Sequence, residues 1–209
     1  MIYFIDYNVK NKKNIKEGIS KINNHEIQIN ILKITGIETI SFCCLHLDTI
    51  SKYDLLLFIP VSFLYEIMFD FFHYWIHRSF HMNPFLYAIH KKHHTHYHLT
   101  SIVTFDQTLF DFILAVSIPE LISLFIFQKL FFDITTFQYL LILNYKTFSE
   151  IAGHSGKYTN SCGFVQCIWL PKFFHIELKT EDHDLHHTLL SCNYSKRFKL
   201  WDRVFNSYK

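Results

Sequence analysis

Residues 70–78 read Asp-Phe-Phe-His-Tyr-Trp-Ile-His-Arg, and they close a strongly apolar block that begins near residue 54. His73 and His77 stand four apart, which on a helix sets both imidazoles on one face. A second histidine group follows at His90-Lys91-Lys92-His93-His94 and a third at His183-Asp184-Leu185-His186-His187. Both have HxxHH spacing, so each can aim two or three rings at one point. Glu150 and His154 repeat the four-residue spacing just ahead of the third group. One such pair is a common accident, explained by a surface patch or a satisfied core histidine. Three groups in this order, flanked by apolar blocks, read as one metal-binding constellation.

The eight histidines of the three groups, with His154, exceed what one ion uses, since a lone zinc takes about four ligands. Two ions with mostly imidazole ligands fit the count. Imidazole suits iron, zinc and copper alike, so ligand type alone does not name the metal. Asp70, Asp182 and Asp184 lie beside these histidines. They read either as carboxylates that accept the second N–H of a ligand ring and fix its tautomer, or as solvated charges. The alternation in His94-Thr95-His96-Tyr97-His98 is a strand or loop spacing, and His81, His96 and His98 read as non-ligands. His25, His46 and His175 read as ordinary residues. Trp169, Trp201 and Tyr208 read as packing or interfacial side chains.

The chain has 209 residues, of which 50% are hydrophobic, 18% aromatic and only 18% charged. That is too apolar for disorder and high for a soluble domain. A net charge of +2 gives no nucleic-acid footprint. Its five glycines fall in neither GxGxxG nor GxxxxGK[ST] spacing, which excludes those nucleotide cradles. Five cysteines without a CxxC pair argue against a disulfide framework or thiolate zinc site and for a reducing compartment. Residues 1–30 carry scattered lysines and no apolar core of a signal peptide.

Hydrophobicity comes in blocks. Residues 54–76 and 109–132 are apolar with isolated acids, 134–148 form another apolar stretch that ends near Asn144 and Lys146, and 31–50 are moderately apolar. Such blocks are either buried helices of a soluble core or membrane helices, and the scarcity of charge favours the membrane. The spacing predicts an all-α fold with membrane helices at about 54–76, 109–132 and 134–150. Residues 77–108 and 149–209 would form a helical cap carrying a dinuclear metal site. If 109–148 is a hairpin, both histidine-bearing segments emerge on one side. Arg78, Lys91, Lys92, Lys157, Lys172, Lys179, Lys196, Arg197, Lys199 and Arg203 place that side in the cytosol. Residues 1–50 form a divergent extension with room for one membrane-associated helix, and 51–209 form the main domain.

On the stretches DFFHYWIHR (70–78), HKKHH (90–94), EIAGHSG (150–156), DHDLHH (182–187) and NYSKRFKLWDRVF (193–205), the chain resembles the fatty acid hydroxylase superfamily. This membrane di-iron group includes sterol desaturases, sterol 4-methyl oxidases and fatty acid hydroxylases. The resemblance covers about residues 60–209. It implies metal ligation by His73, His77, His90, His93, His94, His154, His183, His186 and His187, with two iron ions, which zinc can replace in a purified protein. Glu150 falls where some members have another histidine. Many members carry His-Pro-x-Glu or His-Pro-x-Asp after the second group, whereas Thr108-Leu109-Phe110-Asp111 keeps only the acid.

The resemblance further implies a multi-pass protein of the endoplasmic reticulum that uses O2 to hydroxylate or desaturate a sterol or fatty acyl C–H bond. Its electrons would come from a cytochrome b-type donor and its reductase. Two alternatives stay open: a zinc-dependent membrane hydrolase and a non-catalytic relative.

Overall fold

The computed structural model describes residues 1–18, 22–45, 47, 50–159 and 163–209; His46 and Cys162 lie outside them. The described residues form helices joined by turns and loops, with no strand beyond two isolated β-bridges, Asn14 with Lys157 and Glu177 with Phe198. Its helices are α1 (Ile2–Val9), α2 (Asn24–Cys43), α3 (Asp54–Met82), α4 (Pro84–His90), α5 (Leu109–Leu130), α6 (Thr136–Gly153), α7 (Trp169–Phe173), α8 (Thr180–Leu189) and α9 (Leu200–Val204).

Among the described residues, α3 and α5, with 29 and 22 residues, are long and apolar enough to cross a bilayer. Helix α6 is shorter and carries Lys146 and Glu150 on its way to the histidine cap. The three run as a bundle whose directions follow from their end contacts. Asp54, at the start of α3, accepts from Thr135 Oγ1 at 2.9 Å, and Thr135 caps α6 in a reciprocal capping box with Gln138. So α3 and α6 start together. Helix α5 runs the opposite way, since Ala115 meets His73, Glu120 meets Tyr65, and Phe127 packs on Tyr65. Residues 109–153 thus form a hairpin of α5 and α6 whose two ends return to the histidines.

Between the helices lies a core of Phe58, Val61, Tyr65, Phe69, Leu124, Phe127, Tyr139 and Ile142. The outward faces stay apolar: Leu55, Leu56, Leu57 and Leu64 of α3 and Phe110, Ile122, Phe125 and Leu130 of α5 are all exposed. The acids inside the apolar blocks face inward instead. Glu66 is 2% exposed and pairs with Arg197 at 3.3 Å, while Lys146 bridges Glu120 and Glu38. This is the disposition that lipid would impose, because an unpaired charge in hydrocarbon costs several kcal/mol.

The N-terminal residues are tied to the cap. Ile15 N–H donates to Gly156 O, Tyr158 N–H to Lys13 O, and Lys16 Nζ sits 2.8 Å from Asp184 Oδ2. Gly156 has φ +65°, and a Cβ there would meet Leu99 O at 2.1 Å, so this crossing admits only glycine.

Candidate metal centre

Helix α3 delivers His73, His77 and His81 from its last turns, and α4 ends on His90. His93 and His94 follow in a short 3-10 turn, His154 caps α6, and α8 presents His183, His186 and His187. These elements converge on two adjacent groups of imidazoles. One gathers His77, His81, His90, His94 and His186; the other gathers His93, His154, His183 and His187. Within each group the ligand nitrogens lie within 4.8 Å of one another. Two nitrogens across one ion stand about 4.2 Å apart at a bond length of about 2.0–2.1 Å.

The two HxxHH segments divide crosswise. His90 and His94, four apart, enter the first group and His93 the second. His183 and His187, four apart, enter the second group and His186 the first. The four-residue pairs therefore share a target, while the third histidine of each box serves the neighbouring group. Rings of the two groups touch, with His94 and His187 centroids 4.4 Å apart.

Tautomers follow from the acceptors behind the rings. The Nδ1–H of His77 donates to Tyr194 O at 2.7 Å, of His186 to Cys192 O at 2.7 Å and of His154 to Glu150 O at 2.8 Å. His90 Nδ1–H donates to Asp111 Oδ1 at 2.8 Å. A carbonyl only accepts, so each Nε2 is left with a lone pair aimed inward. Burial first and neighbouring rings second hold His93, His94, His183, His186 and His187 well below the ordinary imidazole range. Burial likewise brings His154 down to about 4. The rings are therefore neutral near pH 7, the form that ligates metals. His186 Nε2, in a wholly buried side chain, has no protein partner. That donor set fits a pair of cations.

His81, read from sequence as a non-ligand, stands in the first group with its Nε2 3.3 Å from that of His77. Its signal was the run His73, His77, His81 at four-residue spacing. His73 belongs to neither group. Its Nδ1–H donates to Ala115 O at 2.6 Å, beside a π-helical turn at Ile113–Ser117, and its ring lies 5.1 Å from that of His77. It lines a cavity of about 30 Å³ with His93, His154 and His183. His96 turns away to Asp106 at 2.7 Å, and His98 is in neither group.

The four acids differ from their sequence reading. Glu150 is not drawn into either group, because its carboxylate is held by Arg197 at 3.0 Å and Lys196 at 3.4 Å. Asp70 accepts three backbone N–H groups, from Lys196, Arg197 and Phe198, at 2.6–3.0 Å. Asp182 caps α8 through Lys179 N–H and accepts from Tyr208 OH, and Asp184 pairs with Lys16. None of these three supports a ligand ring. That position falls to Asp111, the acid retained at 108–111.

Residues 62–207 match the model of the fatty acid hydroxylase family, and the chain belongs to that family. Among curated relatives it is 34% identical over 151 residues to the fatty acid hydroxylase vlmA of Lecanicillium sp, covering 69% of this chain and 40% of that protein. It is 25% identical to sphinganine C4-monooxygenase 2 of Arabidopsis thaliana, over 87% of this chain and 64% of the relative. Against the Delta(7)-sterol 5(6)-desaturase erg31 of Schizosaccharomyces pombe the identity is 28%, over 78% and 48%. The chain thus spans between two fifths and two thirds of the length of these relatives. No solved structure matches it.

Proposed function

We propose that this protein is an O2-dependent lipid hydroxylase or desaturase built around two iron ions. It would sit in the endoplasmic reticulum membrane through α3, α5 and α6, with the histidine cap toward the cytosol and a cytochrome b-type protein supplying electrons. His77, His81, His90, His94 and His186 would hold one ion, and His93, His154, His183 and His187 the other, with His73 at their edge. When bound, the ions supply the redox chemistry that activates dioxygen. The observation that carries this reading is the convergence of nine imidazoles from five separated segments into two touching groups.

The chain's own residues do the rest. Nδ1 anchors on Tyr194, Cys192, Asp111 and Glu150 keep the lone pairs pointing inward. Ala115 and Val116 give the cavity a small apolar wall against which an unactivated C–H bond can lie. Asp111 Oδ2 and Ser195 Oγ, in the same lining, are buried without protein partners. A hydrolase reading would call for HExxH or HxHxDH spacing, and the sequence has neither.

The test is metal analysis of the purified full chain together with lipid oxidation in its membrane. Two metal ions per chain, with oxygen consumption and lipid oxidation restored by iron loading, are expected. One tightly held zinc with hydrolysis of a lipid ester would overturn the proposal.

A further inference from the structure

All three segments that supply the second histidine group meet one stretch of chain, residues 13–16, which precedes the residues that match the family model. Behind His154, the Ile15 N–H donates to Gly156 O at 2.9 Å, the Tyr158 N–H donates to Lys13 O at 3.1 Å, and Asn14 and Lys157 form a β-bridge. Beside His183, Lys16 Nζ pairs with Asp184 Oδ2 at 2.8 Å and donates to Asp184 O at 3.4 Å. Past His93 and His94, the same ammonium donates to Tyr97 O at 3.3 Å and stands 4.7 Å from the centre of the Tyr97 ring. The ion pair is well shielded, with side chains 13% and 4% exposed. One short strap therefore ties together the segments that carry His93, His154, His183 and His187. His77, His81 and His90 of the first group come from α3 and α4 instead.

An ion leaves a site built from four rings only when those rings move apart, and the rings move with their segments. A strap bonded to all three segments resists that local opening. We propose that residues 13–16 are a clasp on the second histidine group and that Lys16 is its pin, a positioning residue that sets how slowly this group exchanges its ion. The clasp bonds to backbone groups and to Asp184 and not to ligand nitrogens, so its bonds do not depend on an ion being present. It therefore raises the barrier to entry and release alike and leaves the affinity nearly as it is. An ammonium suits the pin because it offers three donors, and here it reaches two carbonyls and one carboxylate at once. The inference rests on the metal binding proposed above, and it requires no redox step.

A chelator chase of the full chain in detergent, loaded with zinc to two ions per chain, tests it. Lys16→Met should speed the release of one ion about tenfold or more, because bonds to charged groups are among the stronger ones in a fold. Release of the other ion and the equilibrium zinc content should stay as in the parent chain. Lys16→Arg, which keeps the charge, should restore slow release. Ile15→Pro deletes the N–H that bonds Gly156 O and should give the same single fast phase by an independent route. Adding His183→Ala to Lys16→Met should abolish the fast phase, which assigns it to the second group. Equal acceleration of both ions, acceleration of neither, or a fast phase that survives His183→Ala would overturn the clasp. Lipid oxidation with an exchange rate indifferent to Lys16 would sink this inference and spare the function. Exchange governed by Lys16 in a chain that oxidises no lipid would do the reverse, and failure to take up a second zinc ion would overturn both.

Discussion

The Nε2 atoms of His77 and His90 face each other at 3.1 Å, although each ring has already committed its Nδ1–H to an oxygen behind it. In neutral rings both facing atoms carry lone pairs, which repel unless a cation lies between them. Contacts of 2.9–3.3 Å recur from His94 to His90 and from His81 to His77, and in the second group among His93, His154, His183 and His187. The fold therefore holds nine donors at separations that metal binding relieves.

His186→Ala removes a fully buried donor whose Nε2 has no protein partner. The variant should lose about one metal ion per chain and all lipid oxidation. Its helices α3 and α5 should still insert, because insertion depends on apolar length and satisfied backbone groups. Elemental analysis paired with alkaline extraction of membranes measures both; full metal content in the variant would contradict the assignment.

His81 and His98 separate the geometry from the sequence spacing. His81→Ala should lower metal content and His98→Ala should leave it intact, since only His81 stands within a group. The reverse ordering would revive the alternating His94-His96-His98 reading.

Much of this centre was legible before the fold was known. Four-residue spacing placed His90 with His94 and His183 with His187, because i and i+4 share a helical face. The same rule extends from His77 to His81, but the sequence reading set His81 aside as a non-ligand near the second group. Acids were harder. Asp70 is three residues from His73, yet its carboxylate turns to the amides of 196–198, which only the tertiary fold brings there. Asp111 serves His90 from 21 positions away, and spacing carries no information across that gap. The apolar blocks of α3 and α5 were readable from hydropathy; the fastening of α2 to residues 105–107 depends on side-chain contacts such as those of Asn30.

Asp111→Asn should keep the hydrogen bond's shape while removing the charge behind His90. Loss of such a partner typically costs about 10–100-fold in metal affinity or activity. Asp184→Asn should act elsewhere, by releasing Lys16 and exposing residues 1–18 to protease while metal affinity changes little. Metal competition titrations and limited proteolysis of the two variants would separate these effects; equal losses of affinity would contradict them.

Acid should weaken the metal-free chain. His154 is held at about 4 in the fold, against an ordinary value of about 6.5 in an unfolded chain. Between those values the unfolded state binds more protons, so stability is full above about pH 6.5 and declines as pH falls toward about 4. Thermal unfolding of chelator-treated protein in detergent should show a lower midpoint at pH 5 than at pH 7.5. A flat or opposite trend would mean that these rings are already charged in the fold.

Glu150 offers the sharpest contrast between ligand and support. Its carboxylate stands with Arg197, which is 1% exposed and also pairs with Glu66, and with Lys196. Removing one partner of a buried ion pair costs about 3–5 kcal/mol where the other charge is left alone. Arg197 keeps Glu66, so Glu150→Ala should lower stability by less than that. The backbone carbonyl that orients His154 is untouched by the substitution, so the folded fraction should keep its full metal content. Glu150→Gln, which retains an acceptor for Arg197, should recover part of the stability. Denaturant unfolding of the membrane-extracted variants, with elemental analysis of the folded fraction, reads both quantities. A loss of metal at unchanged stability would make Glu150 a ligand after all.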